Sequence, residues 1–148
     1  MKRLSFIILA VCFTGCSMTG RYYIRNLSDQ PATVTLIFND SAASGTRDTV
    51  TLKYDNQISD IKFETVRSLK KNLVLNQIDS KTLEFIIPPG STVFMGVGMN
   101  TRFIGGIQHA KIKVGSTEQK TVAFNRSEDL NFKIRGLGKY TAHYDIKL

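Results

Sequence analysis

Apolar and polar residues alternate with a period of two along most of this chain, a pattern that predicts half-buried strands. Residues 32–38 carry Val34, Leu36 and Phe38 on one face and Thr33, Thr35 and Ile37 on the other. Residues 48–54 repeat the scheme, with Val50, Leu52 and Tyr54 inward. Leu83, Phe85 and Ile87 share a face of 82–87, and Pro88-Pro89-Gly90 stops that strand because two prolines remove two ladder donors. Residues 21–26 are rich in aromatic and β-branched types, and Ser28-Asp29-Gln30-Pro31 turns the chain after them. Residues 110–114 pair naturally with 120–124 across a Gly115 turn. The clearest hairpin comes last. Leu130, Phe132 and Ile134 alternate inward, Gly136-Leu137-Gly138-Lys139 turns, and Tyr140, Ala142, Tyr144 and Ile146 alternate back.

Two stretches depart from the pattern. Residues 91–99 read as a strand but contain Gly96 and Gly98, which predict a bulge or sharp bend. In 58–78, Ile61 and Phe63 alternate like a strand. Val66, Leu69 and Leu73 then fall at helical spacing, so one short helix is expected near 65–72. Leu73-Val74-Leu75 reads equally as the start of a further strand. About eight or nine short strands, with turns every eight to twelve residues, predict an all-β fold. We expect an antiparallel β-sandwich, immunoglobulin-like or jelly-roll-like, formed as one domain by residues 21–148.

The opening of the chain is different. Lys2 and Arg3 precede a nearly unbroken apolar run, Leu4 to Phe13, closed by Thr14-Gly15-Cys16. About ten apolar residues are too few for a transmembrane helix, which needs roughly 20, but they match the core of a secretory signal. The layout resembles the signal peptide and lipobox of bacterial lipoproteins, with Phe13 where those signals commonly carry leucine. The resemblance implies removal of residues 1–15, a diacylglyceryl group on the Cys16 thiol, and residues 16–20 as a tether. Ser17 follows the cysteine where an aspartate would signal inner-membrane retention. By resemblance to lipoprotein sorting, this implies the outer membrane, facing the periplasm.

Export changes the meaning of composition. The chain carries +8 formal charge, which becomes +6 once Lys2 and Arg3 leave with the signal. Behind an export signal, such a basic chain meets lipid headgroups and anionic envelope polymers rather than nucleic acid. Its two cysteines, Cys12 and Cys16, are the signal's and the lipid's, so no disulfide is available and the core must suffice.

Catalytic and cofactor motifs are missing from the sequence. There is no Gly-x-Ser-x-Gly elbow, no His-Glu-x-x-His, no paired-cysteine site and no phosphate-cradling Gly-Lys-Ser/Thr loop. His109 and His143 are the only histidines, and each reads more simply as a surface residue than as part of a triad or a zinc site. His143, opposite the Tyr140–Tyr144 stripe, is expected to face solvent. No enzyme, cofactor, metal or small-molecule substrate is therefore expected.

Basic residues alternate with apolar ones at Lys111 and Lys113, and again at Lys133 and Arg135; Lys147 falls on the same face as His143. These five cations form a candidate anion-facing surface, although outward lysines on strands also discourage edge pairing. Asp40-Ser41-Ala42 and Asp48-Thr49-Val50 resemble acceptor sites for bacterial O-glycosylation, at Ser41 and Thr49. The expected function is a non-enzymatic binding or accessory module of the cell envelope. It would be held to the membrane by its lipid, with an envelope protein or anionic polymer as partner. The alternatives are a small periplasmic hydrolase with an unrecognised site and a structural subunit of fibre type.

Overall fold

The computed structural model describes residues 17–39, 51–56, 58, 60–99, 102–103, 106–116, 120–124, 127–134 and 138–147. Cys16, Ser41, Thr49 and Arg135 lie outside this set. Twelve strands form among the described residues: β1 (Thr19–Asn26), β2 (Ala32–Phe38), β3 (Leu52–Asn56), β4 (Lys71–Leu73), β5 (Asn76–Asp79), β6 (Thr82–Ile87), β7 (Ser91–Met99), β8 (Arg102–Phe103), β9 (Ile107–Val114), β10 (Lys120–Val122), β11 (Asn131–Ile134) and β12 (Lys139–Ile146). The number exceeds the expected eight or nine because β4, β5 and β8 are too short to show a period. β1 starts at Thr19, two residues earlier than expected, so only Ser17 and Met18 separate it from Cys16.

The strands make a β-sandwich. One sheet has seven strands, ordered β11-β12-β1-β7-β3-β4 with β8 also on β7; the other has five, ordered β10-β9-β2-β6-β5. Five antiparallel pairs, β3–β4, β5–β6, β7–β8, β9–β10 and β11–β12, alternate between the sheets along the chain. β1 and β2 stand apart from these pairs. β1 lies between β12 and β7, and β2 between β9 and β6, so the first two strands are central in their sheets. β1 and β12 run parallel, from Thr19↔Lys139 to Asn26↔Ile146, whereas the other described pairs are antiparallel. The predicted bulge occurs where Tyr22 opposes Gly96 and Tyr23 opposes Phe94, leaving Met95 as the extra residue. Gly96 has φ 143°, a conformation costly for any residue with a Cβ.

Period-two alternation fills the core as expected. Even-numbered residues of β1, β2 and β12, those of β9 from Ala110 on, and odd-numbered ones of β6 face it, including Tyr22, Val34, Ile112, Tyr140 and Phe85. Ile107 joins them across a register shift between β2 and β9. The Tyr22 and Tyr140 rings meet edge to face with centroids 6.0 Å apart, and their buried hydroxyls share a hydrogen bond of 3.2 Å. Phe132 packs on Tyr140 only partly buried, and Ile134 is 68% exposed rather than inward. β11 is an outermost strand, and the facing edge strand β10 is only three residues long, so it does not cover Ile134.

The ambiguous stretch resolves into a strap. Ile58 and residues 60–70, between β3 and β4, lie over the outer face of the seven-stranded sheet, where Ile58, Ile61 and Leu69 pack with Tyr23 and Phe94. The expected helix at 65–72 is a single 3-10 turn at Phe63–Arg67, and Lys71–Leu73 is strand. Thr65 ends the extended run: its hydroxyl accepts from the Lys62 amide, and its carbonyl accepts from Ser68. Ile61 and Phe63 are therefore not strand residues.

Gly20 is fixed by close approach. Tyr140 lies across it, and a Cβ there would sit 1.9 Å from the Tyr140 ring, which is itself buried and cannot withdraw. Gly20→Ala should therefore destabilise the domain by about 1–3 kcal/mol in urea melts, as overpacked cores do. Adding Tyr140→Leu to that variant should give a loss smaller than the sum of the two single changes.

Candidate functional site

The outer face of the seven-stranded sheet gathers polar side chains under and beside the strap. Because β1 and β12 run parallel in register, Arg21 lies beside Thr141, Tyr23 beside His143, and Arg25 beside Asp145. β11 extends these rows with Asn131 beside His143 and Lys133 beside Thr141. The Arg25 guanidinium donates two hydrogen bonds to the Asp145 carboxylate, at 2.6 and 2.7 Å, in a largely buried bidentate pair. Its Nη2 also lies 3.2 Å from His143 Nε2. Arg21 donates to the Phe63 carbonyl and stacks on the Phe63 ring, 4.1 Å from its centroid, which fastens the strap. Lys139 Nζ lies 5.2 Å from the same ring centroid.

Three polar atoms in this region are buried without a hydrogen-bond partner: the Tyr23 hydroxyl, Thr141 Oγ1 and His143 Nδ1. The Tyr23 hydroxyl lies near Arg21 and the Val66 amide without completing a bond of ordinary geometry to either. Burial raises its pKa, and Arg21 offsets part of the rise. His143 is largely covered, contrary to the expectation that it faces solvent, because it lies between Tyr23 and Asn131 in its row with the Arg25–Asp145 pair beside it. Burial lowers its pKa; Asp145, 3.7 Å away, opposes the shift, while Arg25, Lys133 and Lys147 add to it. The neutral ring accepts from Arg25 at Nε2, which places its proton on Nδ1. Through these contacts Arg25 of β1 is tied to His143 and Asp145 of β12 on this face.

The predicted cations do not form one surface. Lys133 and Lys147 act on His143 from the outer face of the seven-stranded sheet. Lys111 and Lys113 lie on β9, beside Thr35 and Thr33, on the outer face of the five-stranded sheet. Lys133 is also engaged, 3.2 Å from Asp60 of the strap. His109 shares the Lys111 face, so the two histidines sit on opposite sides of the sandwich. Among the described residues, no three His, Cys, Asp or Glu side chains converge to hold a metal.

A feature that sequence reasoning missed lies at the edge where the chain passes from β4 to β5. A cavity of about 500 Å³ opens there between the sheets, floored by Tyr54, Leu73 and Phe85. Asn72, Asn76 and Glu84 supply its polar lining, and Val74 and Ile86 its apolar rim. Val74 is 87% exposed, and Ile86 is exposed as well. A mostly apolar concavity of this size with a few polar groups is the usual form of a binding site.

The lowered pKa of His143 predicts a pH dependence. In the unfolded chain the imidazole titrates near 6.5, whereas in the fold it binds its proton only at lower pH. The unfolded state thus holds more protons in that window, and stability should fall as pH drops through 6.5 towards the folded value. Urea melts between about pH 7.5 and 5 should show this loss, and His143→Gln should flatten it relative to the parent. Comparison of the chain with protein-family models, with curated proteins and with solved structures found no match.

Proposed function

We propose that this chain is a bacterial envelope lipoprotein, anchored by lipid on Cys16 and acting as a non-enzymatic binding module for another envelope protein. The observation that carries the reading is the charged start, the apolar run and the cysteine at position 16, followed after two residues by the first strand of the sandwich. Residues 1–15 are the cleaved signal, and Ser17 directs the mature protein to the outer membrane, facing the periplasm.

The partner docks an apolar segment at the β4–β5 edge. The cavity and the exposed Val74 and Ile86 that line it support this, since exposed apolar groups around a concavity mark interaction sites. The division of cations between opposite outer faces, with Lys133 held by Asp60, supports a protein partner over a long anionic polymer.

Cys16→Ala should release the protein from membranes or leave it as uncut precursor, read by fractionation and intact mass. A photo-crosslinker at Val74 or Ile86 should join the anchored protein to one envelope partner, and one at Leu27 should not. With the crosslinker at Ile86, Val74→Glu should abolish the adduct while shifting stability by no more than about 0.5 kcal/mol, as exposed substitutions do. A protein that stays membrane-bound at mature size as Cys16→Ala is not a lipoprotein. Adducts of equal yield from Val74 and Leu27 would dismiss the edge site.

A further inference from the structure

The first strand begins almost at the anchor, and this fixes which surface meets the membrane. Extended chain spans at most about 3.6 Å per residue, so Thr19 lies within about 11 Å of Cys16. The tether cannot lengthen by peeling. The Thr19 amide donates to the Gly138 carbonyl at 2.8 Å, and Met18 packs against the core. The headgroup layer is itself only about 5–8 Å deep on each side of the hydrocarbon. A cysteine whose acyl chains enter that hydrocarbon therefore holds the start of β1 within the headgroup layer or a few ångströms above it.

The surface beside Thr19 has the chemistry of that layer. Thr19 lies between Lys139 and Met99 in one cross-strand row, and Arg21 lies beside Val97 in the next. Val97 and Met99 are each 48% exposed, Lys139 is exposed, and Arg21 and Lys139 both stand over the Phe63 ring. Cations, an aromatic ring and exposed apolar side chains together suit an interface with anionic headgroups. Resting on the lipidation of Cys16, we propose that the sandwich is seated on the membrane surface. The contact is the outer face of the seven-stranded sheet at the β1 start, through Lys139, Phe63, Val97 and Met99. The opposite end, at Leu27 and the Pro88-Pro89-Gly90 turn, points away: eight strand residues at about 3.3 Å each separate Leu27 from Thr19.

The mature chain contains no cysteine after Cys16, so one introduced thiol carries one label. Val97→Cys, Met99→Cys and Leu27→Cys are each labelled with an environment-sensitive fluorophore in the full lipidated protein. The proteins are then placed in vesicles of phosphatidylethanolamine and phosphatidylglycerol. Labels at 97 and 99 should lose iodide quenching and gain quenching by bromolipid, and the label at 27 should do the reverse. Lys139→Glu should restore iodide quenching at 97 and 99 without releasing the protein. Equal quenching at all three positions in lipidated, vesicle-bound protein overturns the seating alone. An intact mass without acyl chains overturns the anchor and the seating together.

Discussion

The Asn26 side chain holds together the turn on which both sheets depend. It is completely buried, and its amide donates to the carbonyls of Gln30, Ile87 and Pro88 at 2.7, 3.1 and 3.3 Å. Its oxygen accepts from both the amide and the hydroxyl of Ser28. One side chain thereby ties the β1–β2 turn to the β6–β7 turn, the two places where central strands pass from one sheet to the other. A buried carboxamide satisfied on both ends is stabilising, whereas the same turn with an apolar residue would leave several buried carbonyls unpaired, at about 1–3 kcal/mol each. β1 and β2 then supply the middle rung of each sheet. Without β2 the smaller sheet would fall into two two-stranded units, β10–β9 and β6–β5. Without β1 the β11–β12 pair would be cut off from β7, β3 and β4, and isolated two-stranded units are marginal in water.

Much of this was legible in the residues. The faces of β2, β6, β9 and β12 follow directly from alternation, because a strand between a core and solvent sorts its side chains with period two. The bulge at Gly96 and the stop at Pro88-Pro89-Gly90 follow from backbone chemistry. What alternation does not carry is the identity of a strand's neighbour. The parallel contact of β1 with β12 joins residues some 120 positions apart, as Arg25 and Asp145 illustrate. No local signal encodes it. The same gap separates Lys111 and Lys113 from Lys133: their outward direction could be read, their sheet could not.

The strap was obscured for another reason. Ile58, Ile61 and Leu69 neither line the central core nor follow one period; they cover Tyr23 and Phe94 from outside. Spacing set by a third layer fits neither a helix nor a strand, and the stretch reads as both. One signal was present. Tyr22 and Tyr23 are adjacent aromatics in a single strand, so both faces of β1 had to be covered. Thr141 between Tyr140 and Ala142 repeats the hint, and His143 lies on that same covered face. The edge cavity left no comparable mark, since it is bounded by residues from four separate strands and connections.

The parallel pairing of the first strand with the twelfth also orders events in time. As the chain emerges, β7 can find β8 and β9 can find β10, but β1 keeps one edge bare until β12 exists. Contacts this distant in sequence slow folding, because a long loop must close before they can form. A chain built this way cannot pair both edges of its first strand until its twelfth strand has been made, so the larger sheet is completed last.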